Sequence, residues 1–173
     1  EESLFATSYI PTSGSISTRN QELCNNSGTV NDFNSEEGVL YAEIAALAND
    51  STYRLISLSD GTNNNRVNLG FSNVSNKIMA SISVGGVFQA SLAHSVSNVT
   101  QYNKVAIKYK LNDVSLYVNG TEVNTDTSVT IPSILNSLQF TSGSLSSVFY
   151  GKTKNLKVFK RALTDAELQE LTT

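Results

Sequence analysis

Apolar and polar residues alternate with a period of two along most of the chain. In residues 66–71, Val67, Leu69 and Phe71 fall on one side and Arg66, Asn68 and Gly70 on the other. In residues 77–84, Ile78, Ala80, Ile82 and Val84 share a side. The clearest stretch is "KVAIKYKLNDVSLYVNGTEV". There Val105, Ile107 and Tyr109 alternate with Ala106, Lys108 and Lys110, and Val114, Leu116 and Val118 with Ser115 and Tyr117. This spacing predicts strands with one buried and one wetter face. Runs at 38–47, 53–58, 87–92, 121–123, 137–140, 148–150 and 155–160 predict further strands. Gly85-Gly86 and Asn119-Gly120 predict tight hairpin turns, because both residues of such a turn need positive φ. Residues 17–35 are Asn-rich with little alternation and predict a long loop, with a short strand around 22–24.

The pattern changes only at the end. Thr164-Asp165-Ala166-Glu167 is a capping box: the Thr hydroxyl and Glu carboxylate each take a backbone N–H that the first helical turn leaves free. Leu168 and Leu171 then share a helical face. Two turns of helix do not stand alone, so the leucines must dock on the body. The expectation is a plug over one open end of a β-sandwich.

No helices alternate with the strands, which argues against a parallel α/β arrangement. The 173 residues suffice for one domain spanning 1–173. Only 16% are charged, below the ~25% of ordinary domains, and Ser, Thr and Asn take the difference. The net charge of -3 argues against a nucleic-acid partner. No apolar run approaches the ~20 residues of a membrane span. The single Cys24 has no partner for an internal disulfide and is expected to be a small buried hydrophobe. Five Asn-x-Ser/Thr triplets, beginning at Asn25, Asn49, Asn73, Asn98 and Asn119, match chance in so Asn-rich a chain.

Three segments carry a family resemblance. "FYGKTKNLKVFKRALTDAELQEL" resembles the C-terminal strand and helix of laminin-G-like domains in the concanavalin A-like lectin/glucanase superfamily. "KVAIKYKLNDVSLYVNGTEV" resembles the central hairpin of that family. "SYIPTSGS" resembles segments that precede such domains in phage tail and fibre proteins and in bacterial surface proteins. The resemblance implies an all-β fold: a two-sheet antiparallel jelly roll with one short C-terminal helix. It also implies an extracellular or virion-surface setting, with glycans, host polysaccharides or other virion and surface proteins as partners.

Chemistry narrows the function. Glycosidases need two carboxylates at fixed separation. Relatives that hydrolyse glucans carry them on one strand as Glu-x-Asp-x-Glu or Glu-x-Asp-x-x-Glu, and this chain has no such strand. Glu43 is a lone strand carboxylate, and Asp165, Glu167 and Glu170 belong to the helix. The only histidine, His94, has no evident acid partner. The expectation is therefore not an enzyme but a non-catalytic carbohydrate-binding or adhesion module. The alternatives are an assembly or spacer domain, which could form an oligomer, and a divergent glycosidase. Sugars are held by aromatic faces and planar polar groups. There is no Trp, and seven Tyr. Tyr117, Arg66 and Asn68 read as facing outward, as does Arg54 if Tyr53 and Leu55 are core. These four are the expected ligand-binding residues, as a polar groove floor with one aromatic. Relatives often hold calcium with oxygen ligands at the rim. Asp60, Asn63 and Asn64 could supply such ligands from one loop, with Asp32 or Asp113 from others. The same residue types also build an ordinary turn.

Overall fold

The computed structural model describes Gly14 and residues 27–173. Cys24, "SYIPTSGS" except Gly14, the short strand expected at 22–24 and the Asn25 triplet except Ser27 lie outside the described residues.

Among the described residues, ten strands and one helix follow in chain order. They are β1 (Glu37–Ala46), β2 (Arg54–Ser59), β3 (Arg66–Phe71), β4 (Lys77–Val84), β5 (Val87–Ser95), β6 (Asn103–Lys110), β7 (Val114–Val118), β8 (Thr121–Asp126), β9 (Ser137–Gln139), β10 (Gly151–Phe159) and α1 (Asp165–Thr172). One sheet has the order β10-β1-β6-β7-β8 and the other β5-β4-β3-β2-β9, with antiparallel pairing. This is the two-sheet antiparallel jelly roll that the family resemblance implies, built from strands that the alternation predicts. Both hairpin turns form as expected, with φ of 57° and 82° at Gly85 and Gly86 and of 49° and 81° at Asn119 and Gly120.

The core lies between the sheets. Leu40, Ala42 and Ile44 of β1, and Val105, Ile107 and Tyr109 of β6, face Ile56 and Leu58 of β2 and Val67, Leu69 and Phe71 of β3. The run at 148–150 is not a strand. Phe149 folds inward instead, stacking on Phe71 at 6.0 Å and meeting Phe140 edge-on at 5.8 Å.

The helix does not stopper an end of the sandwich. It lies on the outer face of the β10-β1-β6-β7-β8 sheet, where Leu163 and Leu168 pack on Val39, Tyr41, Ala106 and Tyr117. These are the residues that alternate with the inner-face set, so β1 is apolar on both sides because both are covered. The capping box forms as the sequence predicts. Thr172 Oγ1 accepts from Gly120 N at 3.2 Å and ties the last turn to the Asn119-Gly120 hairpin.

Candidate functional site

The outer face of the β5-β4-β3-β2-β9 sheet is built from short polar side chains. Register places Ser57 opposite Asn68 and Asn68 opposite Ser81. One step along, Ser59 lies opposite Arg66 and Arg66 opposite Ser83. Ser57, Ser59, Asn68, Ser81 and Ser83 are all buried. A solvated sheet face would leave them wet.

Six buried side-chain polar atoms have no hydrogen-bond partner among the described residues, and five belong to this face or its rim. These five are Ser57 Oγ, Ser83 Oγ, Asn68 Oδ1, Asn63 Oδ1 and Arg66 Nε. Each such atom costs about 1–3 kcal/mol, and native proteins keep few of them. Asn68 is satisfied on one side only, where its Nδ2 donates to Ser81 Oγ at 3.2 Å.

A cleft of about 260 Å³ opens over this face. Asn63, Arg66, Asn68 and Ser81 supply its polar surface, and Tyr53, Leu55, Met79 and Phe88 its apolar surface. Tyr53 is 40% exposed and Phe88 62%, so both offer ring faces to a ligand. The Arg66 guanidinium sits 5.6 Å from the Phe88 ring centre. Its Nη1 donates to Asn63 O. Burial draws the Arg66 pKa below the ordinary arginine value, although a guanidinium stays charged at any working pH.

The 141–147 loop forms the third side through Ser142, Ser146 and Ser147. Leu55 N donates to Ser147 O at 3.1 Å, and Asn63 Nδ2 to Ser144 Oγ. Gly143 has φ +98°, and a Cβ there would lie 2.5 Å from Thr62 O. Glycine thus lets this loop approach the 60–65 turn closely.

Two of the four expected ligand residues, Arg66 and Asn68, come together in the cleft. Tyr117 does not. It belongs to β7 in the other sheet, is fully buried beneath α1, and its hydroxyl lies 2.6 Å from Glu122 Oε2 and 2.9 Å from Asp165 Oδ1. Burial and these carboxylates push its pKa up. Period two had placed it opposite the core correctly, but that face is covered by the helix. Lys108 shares this fate: it lies 2.7 Å from Asp113 and 3.7 Å from Asp165 instead of in solvent.

Arg54 also differs from expectation. Ile56 and Leu58 face the core, so Arg54 shares their side, at the end of the sandwich. Its Nη2 pairs with Asp50 at 2.6 Å and its Nη1 donates to Ala48 O at 3.1 Å. Leu55 and Tyr53 turn to the cleft.

The expected calcium loop is explained by its own bonds. Asp60 Oδ1 accepts from Thr62 N at 2.9 Å and Thr62 Oγ1 at 2.6 Å, and Oδ2 from Asn65 Nδ2 at 2.8 Å. Burial works against the Asp60 charge, but these bonds outweigh it and hold the carboxyl below its usual range. Asn64 O accepts from Gly86 N at 3.0 Å, while Asn63 turns to the cleft. Asp32 Oδ2 caps a turn by accepting from Thr29 N at 2.8 Å, and Asp113 pairs with Lys108. No group of three or more His, Cys, Asp or Glu forms among the described residues. With its one carboxylate already spent, this loop does not fit a calcium cage, which needs several free oxygen ligands.

Tyr53, Phe88 and the 141–147 loop are cleft residues that alternation does not reveal. Strict alternation from Leu92 and Ala90 puts Phe88 in the core. A register shift between Ile82 and Ser83 brings it opposite Ser83 instead, on the cleft side.

A laminin G family model of the concanavalin A-like lectin/glucanases superfamily matches residues 13–169. Solved structures with the same fold include the CBM40 module of the Ruminococcus gnavus IT-sialidase bound to alpha2,3 sialyllactose. It has a TM-score of 0.67 and 18% identity, over 88% of this chain and 96% of that one. A mutant NanB sialidase from Streptococcus pneumoniae gives 0.65 at 20% identity, over 81% of this chain and 24% of that one. Domain 4 of AbnA, an extracellular arabinanase from Geobacillus stearothermophilus in complex with arabinotriose, gives 0.63 at 14% identity, over 81% of this chain and 68% of that one. No curated protein sequence matches the chain significantly.

Proposed function

The chain belongs to the concanavalin A-like lectin/glucanase superfamily, and on that footing we propose that it is a non-catalytic carbohydrate-binding module whose cleft on the β5-β4-β3-β2-β9 sheet takes a glycan. The observation that carries this reading is the unpartnered polar floor. A sheet face kept only for stability gains nothing from Asn68 Oδ1 and Arg66 Nε buried without partners. A face kept for sugar hydroxyls does gain, because Asn68 and Arg66 line the cleft and a shift of their side chains brings those buried atoms to a bound hydroxyl. Tyr53 and Phe88 supply the ring surfaces against which sugar C–H groups pack. Two of the similar solved structures hold oligosaccharides, which supports the same reading.

The reading is non-catalytic because no carboxylate lines the cleft among the described residues, and hydrolysis needs two. Elsewhere, Glu43 is buried and paired with Lys154 at 3.1 Å. The module works outside the cell, on a phage virion or a bacterial surface protein, as the segment "SYIPTSGS" suggests. No helix among the described residues is long and apolar enough to cross a membrane. A glycan array probed with the intact chain tests the proposal. Binding that Phe88→Ala weakens is expected, and an array without hits sinks it.

A further inference from the structure

Resting on that reading of the cleft, we infer that the sugar it takes is anionic, with a carboxylate or sulfate group that pairs with Arg66. This chain pairs its buried cations with acids. Arg54 pairs with Asp50 at 2.6 Å and Lys108 with Asp113 at 2.7 Å, whereas several exposed lysines have no carboxylate partner. Arg66 is the one arginine among the described residues without a carboxylate partner. It is also half-buried, where an uncompensated charge costs more than at the surface. The chain has acids to spare, with a net charge of -3, yet none lines the cleft among the described residues. Asp60, in the turn that leads into β3, has both oxygens taken by Thr62 and Asn65.

The guanidinium is also presented in a usable form. Asn63 O holds Nη1, Phe88 lies over the group, and Nε has no partner. Nε is buried and Nη2 has no acid partner, so the guanidinium meets a carboxylate or sulfate through Nη2, with Nε completing the two-nitrogen fork once the side chain shifts. A neutral sugar would fill hydrogen bonds but leave the charge unmatched.

The test uses the intact chain with three probe sets of equal length: galacturonate oligomers carrying carboxylates, carrageenan oligomers carrying sulfates, and unsubstituted galactan oligomers. Titration calorimetry is run at low and high salt, alongside an array of paired neutral and acidic glycans. An acidic set is expected to bind at least ~10-fold tighter than its neutral counterpart, as for a charge-assisted hydrogen bond. That advantage is expected to shrink with salt. Arg66→Gln should abolish the preference while near-ultraviolet circular dichroism stays native, and Arg66→Lys should restore part of it. The carboxylate and sulfate arms identify the group. If neutral and acidic sugars bind equally, or Arg66→Gln keeps the preference, this inference is overturned and the carbohydrate reading survives. If no sugar binds at all, both fall.

Discussion

Replacing Asn68 by leucine should leave the fold about as stable as before, while removing ligand binding. Asn68 is 2% exposed and makes one side-chain bond, to Ser81 Oγ. Losing that bond leaves the fully buried Ser81 Oγ without a partner, which costs about 1–3 kcal/mol. The substitution also removes Oδ1, which is buried with no partner. Lifting that burden returns about 1–3 kcal/mol. Leucine has nearly the shape of asparagine, so neither a cavity nor overpacking enters. The loss and the gain offset, so the balance lies near zero, within about 2 kcal/mol either way. At roughly 2–4 °C per kcal/mol for a chain of this size, the melting temperature should stay within about 8 °C of the parent's. Ser57→Ala loses no hydrogen bond and removes an orphan, so it should stabilise. Urea titration with an unchanged slope gives the free energy directly, and the glycan titrations give the second half. The result that refutes the reasoning is a loss of more than about 2 kcal/mol for Asn68→Leu together with more than about 1 kcal/mol for Ser57→Ala. That would mean these atoms are satisfied in the free protein and the floor is structural. Asn68→Leu that still binds sugar would sever the floor from function.

Leu168→Ala should cost about 2–5 kcal/mol by denaturant titration, because Leu168 is fully buried on Tyr117 and Tyr41. The loss should not exceed that of truncating the chain before Thr164, since an undocked helix can lose no more. Arg161 and the bonds from Thr164 hold the Glu167 carboxyl down at about 2. The helix cap should therefore be at full strength above pH ~5 and fade as pH falls toward 2, with Glu167→Gln flattening that part of an acid melt. Calcium titration should leave the melting temperature unchanged, because Asp60 is already fully engaged; a concentration-dependent rise would overturn that account.

The fold was legible because each strand buries one face, and one buried face is all that period two encodes. What it does not encode is whether the second face is covered, or by what. Val39 and Tyr41 beside Leu40, Ala42 and Ile44 were the trace of a second cover on β1. Tyr117 carried the same trace, and its apparent outward aim was an aim at the helix. Arg54 was misplaced because apolar residues flank it on both sides in sequence, and only the packing of Ile56 and Leu58 decides which set is inside. Arg66 and Asn68 were readable because Val67, Leu69 and Phe71 leave no such ambiguity. Phe88 was hidden by a one-residue register shift, which no periodic pattern anticipates. The 141–147 loop has no period to read.

β1 sits between β6 and β10, with Leu40 paired to Ile107 on one side and to Val158 on the other. During synthesis its inner neighbours arrive early, but its second edge and its outer cover come from β10 and α1, made long after it. Until those emerge, Val39 and Tyr41 stay open to water and to other nascent chains. Such distant pairing makes closure slow and leaves a sticky half-built sheet in the meantime. The short terminal helix is then a late-arriving seal, and a ribosome stalled before Phe159 should hold a species that chaperones recognise.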